Sequence, residues 1–178
     1  MTAQTETTHQ STHSIIAGTR KLYEMVKGDA LAAAEAMPEA AYSFKTSGEV
    51  RSFGEQLAHI ADANYLLAST CLNEPNPFPG VSPVDAGVLE KTRSHKSDII
   101  AALRSSFKYC DRAFDACCDA TANETVAFPP GPRANTVTKA YVLNVALFHT
   151  AEHYGAMTQY LRLKGLVPPS TVRFRNSA

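Results

Sequence analysis

Two histidines near the end of the chain have the spacing of a metal-binding pair. His149 and His153 are four residues apart, so on a helix they lie on one face with their Cβ atoms about 5–6 Å apart. The pair is predicted to point into the core, where two imidazoles are costly unless each finds a partner. A metal ion would satisfy both rings at about 2.0–2.1 Å from each nitrogen. The other residues of that face are mainly apolar or aromatic: Val142, Val145, Ala146, Ala156, Met157 and Tyr160.

A third histidine completes the candidate site. His59 lies on an earlier predicted helix, at the edge of its apolar arc and away from the charged side that we assign to Glu55 and Asp62. If the two helices are neighbours, His59, His149 and His153 form a three-histidine metal site. The alternative is that all three rings are hydrogen-bonded to polar groups of the core without a metal. The remaining histidines lie in polar stretches and are predicted to be solvated: His9, His13 and His95.

Such a site has the composition of a catalytic metal centre. Three neutral imidazoles leave the ion its positive charge and at least one open position, whereas structural sites are closed by four protein ligands. Water at that position favours hydrolysis because its pKa falls towards ~7, and a substrate thiol there favours thiol transfer. Glu152 and Tyr160 are weak candidate catalytic residues, because Glu152 is better explained as a helix-edge carboxylate and Tyr160 needs no special role as a core aromatic. Imidazole suits zinc, nickel, copper and iron alike.

Composition and motifs exclude several other functions. The 178 residues contain 17 Lys and Arg and 17 Asp and Glu, so no basic excess is available for binding nucleic acid. Phosphate-binding loops of the types GxxxxGK[ST] and GxGxxG are absent, and no apolar run reaches the ~20 residues that span a membrane. The polar first 14 residues do not resemble a secretory signal, so we expect a cytoplasmic protein. Its cysteines are then expected to be reduced and buried: Cys71, Cys110, Cys117 and Cys118.

Four long helices are predicted to position these groups. Apolar periodicity and caps place the first over about 14–37 and the second from a capping box of Ser52 and Glu55 to about residue 73. The third is predicted from the Ser82–Pro83 start signal to about residue 119, and the fourth from Asn135 to about residue 164. No strand is predicted. We therefore expect an all-α four-helix bundle over residues 14–178, preceded by a frayed tail over residues 1–13.

Two blocks of the sequence resemble the DinB-like (DinB/YfiT) metalloprotein superfamily. They are residues 51–65, RSFGEQLAHIADANY, and residues 148–155, FHTAEHYG. Residues 37–44, MPEAAYSF, and 160–165, YLRLKG, also fit the family. One departure stands out: many relatives carry His-His-Arg-Gly-Gln where this chain has EHYGA at 152–156, which puts any substrate-orienting role of the Arg and Gln in doubt.

The resemblance implies a fold, a metal and a class of activity. The fold would be a four-helix bundle in up-down-down-up order, which the Pro-rich segment 73–80 would suit as a crossover. The metal would be a divalent ion, usually nickel or zinc, on His59, His149 and His153. Relatives are often homodimers, and the characterised ones are mostly thiol-dependent transferases and isomerases, with some proposed hydrolases.

The sequence thus predicts a metal-dependent enzyme acting on a small molecule, in the cytoplasm and without nucleic acid or membrane partners. Its reaction would be S-transfer or isomerisation dependent on a low-molecular-weight thiol, or hydrolysis. Two alternatives stay open. One is a non-catalytic metal-binding or ligand-binding stress protein that uses the same site, and the other is a helical interaction module without metal.

Overall fold

The computed structural model describes residues 14–78, 87–129, 131–132 and 134–177. Six helices and one β-hairpin occur in these ranges. In chain order they are α1 (Ile15–Ala36), α2 (Phe53–Leu72), α3 (Val88–Thr92), α4 (Lys96–Ala116), β1 (Thr125–Phe128), β2 (Asn135–Thr138), α5 (Lys139–Leu163) and α6 (Pro169–Asn176). A single 3-10 turn, Glu39–Ala41, lies between α1 and α2.

The ends of α2 follow from local chemistry that the sequence predicts. The Ser52 hydroxyl accepts the Glu55 N–H at 3.2 Å, and the Glu55 carboxylate accepts the Ser52 N–H at 2.6 Å. This capping box satisfies two of the N–H groups that a helix start leaves unpaired. Asn73 ends the helix in the left-handed conformation, with φ of 55°, which is common directly after a helix.

The four long helices enclose one core. Helices α1 and α2 each pack against both α4 and α5, so a side chain on α5 can meet one on α2. The predicted predominantly helical class is confirmed, and the up-down-down-up order of the helices stays a prediction. The largest fully buried side chains come from all four helices and include Tyr23, Leu57, Ile60, Leu103, Phe107, Met157 and Leu161.

The prediction of one continuous third helix is wrong. The chain forms the short α3, leaves helical geometry at Arg93 with φ of −108° and ψ of 125°, and starts α4 after His95. Residues 93–95, RSH, contain no apolar side chain, so no burial holds this stretch in a helix. Helix α4 then ends at Ala116, before Asp119. The start signal at Ser82 lies outside the described residues.

The prediction that no strand occurs is also wrong. Strands β1 and β2 pair antiparallel, with Thr125 opposite Thr138 and Phe128 opposite Asn135. Each strand has four residues, too few for alternation to be recognised in the sequence, although threonine and valine favour extended backbone. Helix α5 therefore begins after Thr138, whose hydroxyl accepts the Tyr141 N–H at 3.1 Å, rather than at Asn135.

Two features at the periphery complete the fold. Helix α6 has no counterpart among the predicted helices; it is attached to α1 by an ion pair between Arg173 and the buried Asp29, at 2.7 Å. The four cysteines are free, but Cys118 is exposed, contrary to the prediction that all are buried. Within the described ranges, no helix is both long and apolar enough to cross a bilayer.

Candidate metal centre

The structure brings the three predicted histidines together. The Nε2 atom of His149 lies 3.2 Å from that of His59 and 3.2 Å from that of His153. Each ring offers one nitrogen such that all three atoms lie within 4.8 Å of one another. His59 comes from α2 and is 9% exposed, whereas the half-buried His149 and His153 come from α5. The cluster is therefore formed at the contact between these two helices.

Two of the rings meet an oxygen through their other nitrogen. The Nδ1 atom of His153 lies 2.5 Å from the Gln56 Oε1 atom. The Nδ1 atom of His59 lies 3.3 Å from the Glu90 Oε2 atom. Both oxygens are acceptors, so they favour a proton on Nδ1 of each ring. Partners of this kind commonly fix the ring orientation and tautomer of metal-binding histidines.

This arrangement leaves lone pairs converging on one point. With protons on Nδ1, the Nε2 atoms of His59 and His153 can only accept hydrogen bonds. The His149 Nε2 atom carries at most one proton, so it can make a good hydrogen bond to only one of them. The buried Nδ1 of His149 has no hydrogen-bond partner in the described part of the chain. A divalent cation fits this donor set, because three neutral imidazole nitrogens would direct their lone pairs at one positive ion.

Burial keeps the imidazoles neutral. It lowers the pKa of His59 to about 4 and that of His149 to about 3, with further contributions from the positive charge of Arg51 and from neighbouring imidazoles. Burial and Arg51 also lower the pKa of His153, against an opposing effect of Glu152. Neutral imidazole is the form that binds metal, so no proton has to be removed from these rings at pH 7.

Arg51 and Glu90 form a pair beside the cluster. The Arg51 Nε donates to the Glu90 Oε1 at 2.9 Å, and the Glu90 side chain is only 9% exposed. The Tyr160 hydroxyl donates to the Arg51 carbonyl oxygen at 2.7 Å. Tyr160, one of the two candidate catalytic residues, is thus buried and holds the backbone before α2, whereas Glu152, the other, is exposed on α5.

Asp62 departs from its predicted place on the charged side of α2. It is 1% exposed, and its two carboxylate oxygens accept the N–H groups of Leu89 and Glu90 at 3.1 and 3.0 Å. A carboxylate is the preferred acceptor at the start of a helix, so Asp62 caps α3 from a neighbouring helix. This contact joins α3 to α2 one turn after His59.

A surface cleft of about 550 Å³ adjoins the cluster. It is lined by residues of the segment 45–56 and by Glu90, and it shares Arg51, Gln56 and Glu90 with the surroundings of the histidines. A second cleft, of about 560 Å³, lies between the start of α1 and the end of α4 and is not lined by Arg51, Gln56 or Glu90. The first cleft is therefore the one relevant to the candidate metal centre.

The partners of the histidines, Gln56, Glu90 and Arg51, were not predicted from the sequence. Gln56 precedes His59 by three residues on the same helix, a spacing that places both on neighbouring positions of one face and that offered a usable signal. Glu90 and Arg51 offered none, because Glu90 reaches His59 only through the short α3 and Arg51 lies outside any helix.

The sequence and fold place the chain in a known family. A family model described as the DinB superfamily matches residues 22–157. The chain belongs to the DinB superfamily, as its sequence predicts. No curated protein matches the sequence significantly.

Solved structures show the same fold at low sequence identity. A DinB-like protein from Bacillus cereus ATCC 10987 is 17% identical, with a TM-score of 0.66 over 88% of this chain and 96% of that one. A conserved protein from Enterococcus faecalis is 12% identical, with a TM-score of 0.65 over 84% and 96%. Mycothiol-dependent maleylpyruvate isomerase, in a variant form, is 13% identical with a TM-score of 0.63 over 82% of this chain and 65% of the isomerase.

Proposed function

We propose that the protein binds one divalent metal ion, nickel or zinc, through His59, His149 and His153, and that it is a metal-dependent enzyme acting on small molecules. The reaction would be S-transfer or isomerisation that depends on a low-molecular-weight thiol, or hydrolysis. The observation that carries the proposal is the convergence of three imidazole nitrogens from α2 and α5, with the His149 Nε2 atom 3.2 Å from each of the other two Nε2 atoms.

The residues around the cluster support this chemistry. A divalent ion held there would act as a Lewis acid and lower the pKa of a thiol or water bound to it. Gln56 holds the His153 ring through Nδ1, and burial keeps the rings uncharged. Arg51 supplies a positive charge at the adjoining cleft, whose volume of about 550 Å³ is in the range of small-molecule sites.

Thiol chemistry is the first reaction to test. The fold is similar to that of an isomerase named as mycothiol-dependent, and a thiol bound to a metal would have a lowered pKa and could lose its proton to solvent. The alternative, a non-catalytic metal-binding or ligand-binding stress protein, is favoured by one observation. Of the two candidate catalytic residues, Glu152 is exposed and the Tyr160 hydroxyl is engaged with the Arg51 carbonyl.

We also propose that residues 14–178 form a single domain and that the protein works as a cytoplasmic homodimer. The net charge of zero gives little electrostatic opposition to association and no support for nucleic-acid binding. Light scattering at micromolar concentration should give about twice the mass of 19.2 kDa, and a monomer mass would remove the homodimer.

Metal content and turnover test the function in two steps. Protein purified without a His-tag or nickel resin should contain about one nickel or zinc ion per chain by elemental analysis. Protein that contains no metal as purified and does not bind added zinc or nickel would contradict the metal site. Turnover of electrophilic or hydrolysable small molecules is then measured with and without a low-molecular-weight thiol. Activity only with thiol indicates transfer or isomerisation, activity without it indicates hydrolysis, and metal binding without either indicates the non-catalytic alternative.

A further inference from the structure

Two buried atoms face each other beside the histidine cluster without a regular hydrogen bond. They are the Oε2 atom of Glu90 and the Nδ1 atom of His59, and neither has a hydrogen-bond partner among the described residues. They lie 3.3 Å apart, so a small rotation of either side chain would satisfy both. Since an unpaired buried polar atom is destabilising, each of these atoms is the natural partner of the other.

The fold delivers Glu90 to this position by specific contacts. Asp62, which follows His59 by three residues on α2, accepts the N–H groups of Leu89 and Glu90 and so fixes the first turn of α3. The backbone at Gly87 approaches the Asp62 carboxylate so closely that an added Cβ would lie 2.2 Å from it. The contact between α2 and α3 thus fixes the backbone of Glu90 beside His59.

The other oxygen of the same carboxylate is also held. The Arg51 Nε donates to Glu90 Oε1 at 2.9 Å, and the Arg51 carbonyl is held by the Tyr160 hydroxyl. This leaves Oε2 directed at His59 with its rotation restricted. The Glu90 side chain is only 9% exposed and its second oxygen faces an imidazole. An ion pair with Arg51 at the surface would explain neither observation.

We propose that Glu90 is a positioning residue that holds His59 in the tautomer protonated at Nδ1, so that the His59 Nε2 lone pair points at the other two rings. The inference rests on the proposed metal site and deepens it. Carboxylate partners of this kind raise the basicity of a metal-binding imidazole and fix its orientation, and their loss typically weakens metal binding about 10–100-fold. Gln56 has the same role at His153, where its neutral amide oxygen faces Nδ1.

The first test is made on metal-free, wild-type protein. Long-range ¹H–¹⁵N spectra at pH 7.5 report which nitrogen of each histidine carries the proton, and the His59 signals are assigned by their absence in His59→Gln. We expect His59 in the Nδ1–H form. A His59 ring protonated at Nε2 overturns the proposal, whether or not any variant folds.

The second test measures zinc affinity by competition with a chelator in three variants. Glu90→Leu, which has no acceptor, should lose the His59 tautomer preference and bind zinc about 10–100-fold more weakly. Glu90→Gln keeps a single oxygen acceptor, for which Arg51 Nε and His59 Nδ1 compete, and should lose less zinc affinity than Glu90→Leu. The matched control Glu152→Gln removes an exposed carboxylate next to His153 without removing an acceptor from any ring, and should stay within about twofold of wild type.

Three results would overturn the proposal. They are wild-type affinity in Glu90→Leu, equal losses in Glu90→Leu and Glu90→Gln, and an equally large loss in Glu152→Gln. The last two would assign the effect to overall charge rather than to the acceptor. If wild-type protein binds neither zinc nor nickel, the proposed function fails, while the tautomer in the metal-free protein still decides whether Glu90 positions His59.

Discussion

Replacing Gly87 by alanine should destabilise the protein although the backbone there suits any residue. Gly87 has φ of −72° and ψ of 178°, so alanine introduces no backbone strain. Its Cβ would instead lie 2.2 Å from the Asp62 Cγ and Oδ2 atoms, and the Asp62 carboxylate would have to leave the N–H groups that it caps. The substitution therefore tests the contact between α2 and α3 directly.

The size of the effect follows from the two hydrogen bonds that the displaced Asp62 carboxylate would break. Loss of the cap costs about 0.5–2 kcal/mol, and leaving the buried Leu89 N–H unpaired costs about 1–3 kcal/mol. Restriction of the unfolded chain by alanine offsets about 0.4–1 kcal/mol. The net destabilisation is about 0.5–4.6 kcal/mol, which for a chain of 178 residues lowers the Tm by roughly 1–18 °C.

Thermal unfolding of the metal-free protein, followed by circular dichroism, measures this destabilisation. Gly18→Ala is the control, because Gly18 lies on α1 and an added Cβ would meet nothing within 4 Å. Alanine there should stabilise the helix by about 0.5–1 kcal/mol. A Tm of Gly87→Ala equal to or above that of wild type would refute the role that we assign to the contact between Gly87 and Asp62.

Three further predictions concern the histidines and the metal. His153→Ala should lose most zinc affinity while His95→Ala, at an exposed position outside the cluster, keeps it; calorimetric titration showing the opposite order would place the site elsewhere. Zinc at about 100 times its Kd should stabilise the folded protein by about 2.7 kcal/mol, visible as a Tm rise that a chelator reverses. Because the folded-state pKa values of His59 and His149, about 4 and about 3, lie below the unfolded value of ~6.5, the unfolded chain binds more protons between these limits. The stability of the metal-free protein should therefore fall as the pH drops from about 6.5 towards 4. Urea titrations at a series of pH values measure the free energy of unfolding, which should change less steeply with pH in His149→Gln than in wild type over that range.

Local signals in the sequence predict the parts of the fold that depend on neighbouring residues. The capping box of Ser52 and Glu55 specifies the start of α2 because both partners lie within one turn. The convergence of His149 with His59 is predicted by combining helical spacing with apolar surroundings and a family resemblance. These inferences succeed because each residue's face is determined by its own helix.

Other features could not be predicted because they depend on contacts between distant segments. Asp62 occupies a position on α2 that is typical of polar surface, yet it is buried because α3 folds over it and donates two N–H groups. The partnership of Glu90 with His59 depends on the same contact. The hairpin of β1 and β2 escapes prediction for a different reason, since each strand is too short for its pattern to be recognised.

The separation of the cluster along the chain also has a kinetic consequence. His59 and His149 are 90 residues apart, and His153 lies one helical turn further on. The loop between them must close before the nitrogens can converge, so we expect the cluster to form late in folding. An ion that binds only the completed cluster stabilises the native state and leaves the transition state largely unaffected. Zinc should therefore slow unfolding of the protein while its folding rate stays nearly the same, so that the bound metal prolongs the lifetime of the folded state without accelerating its formation.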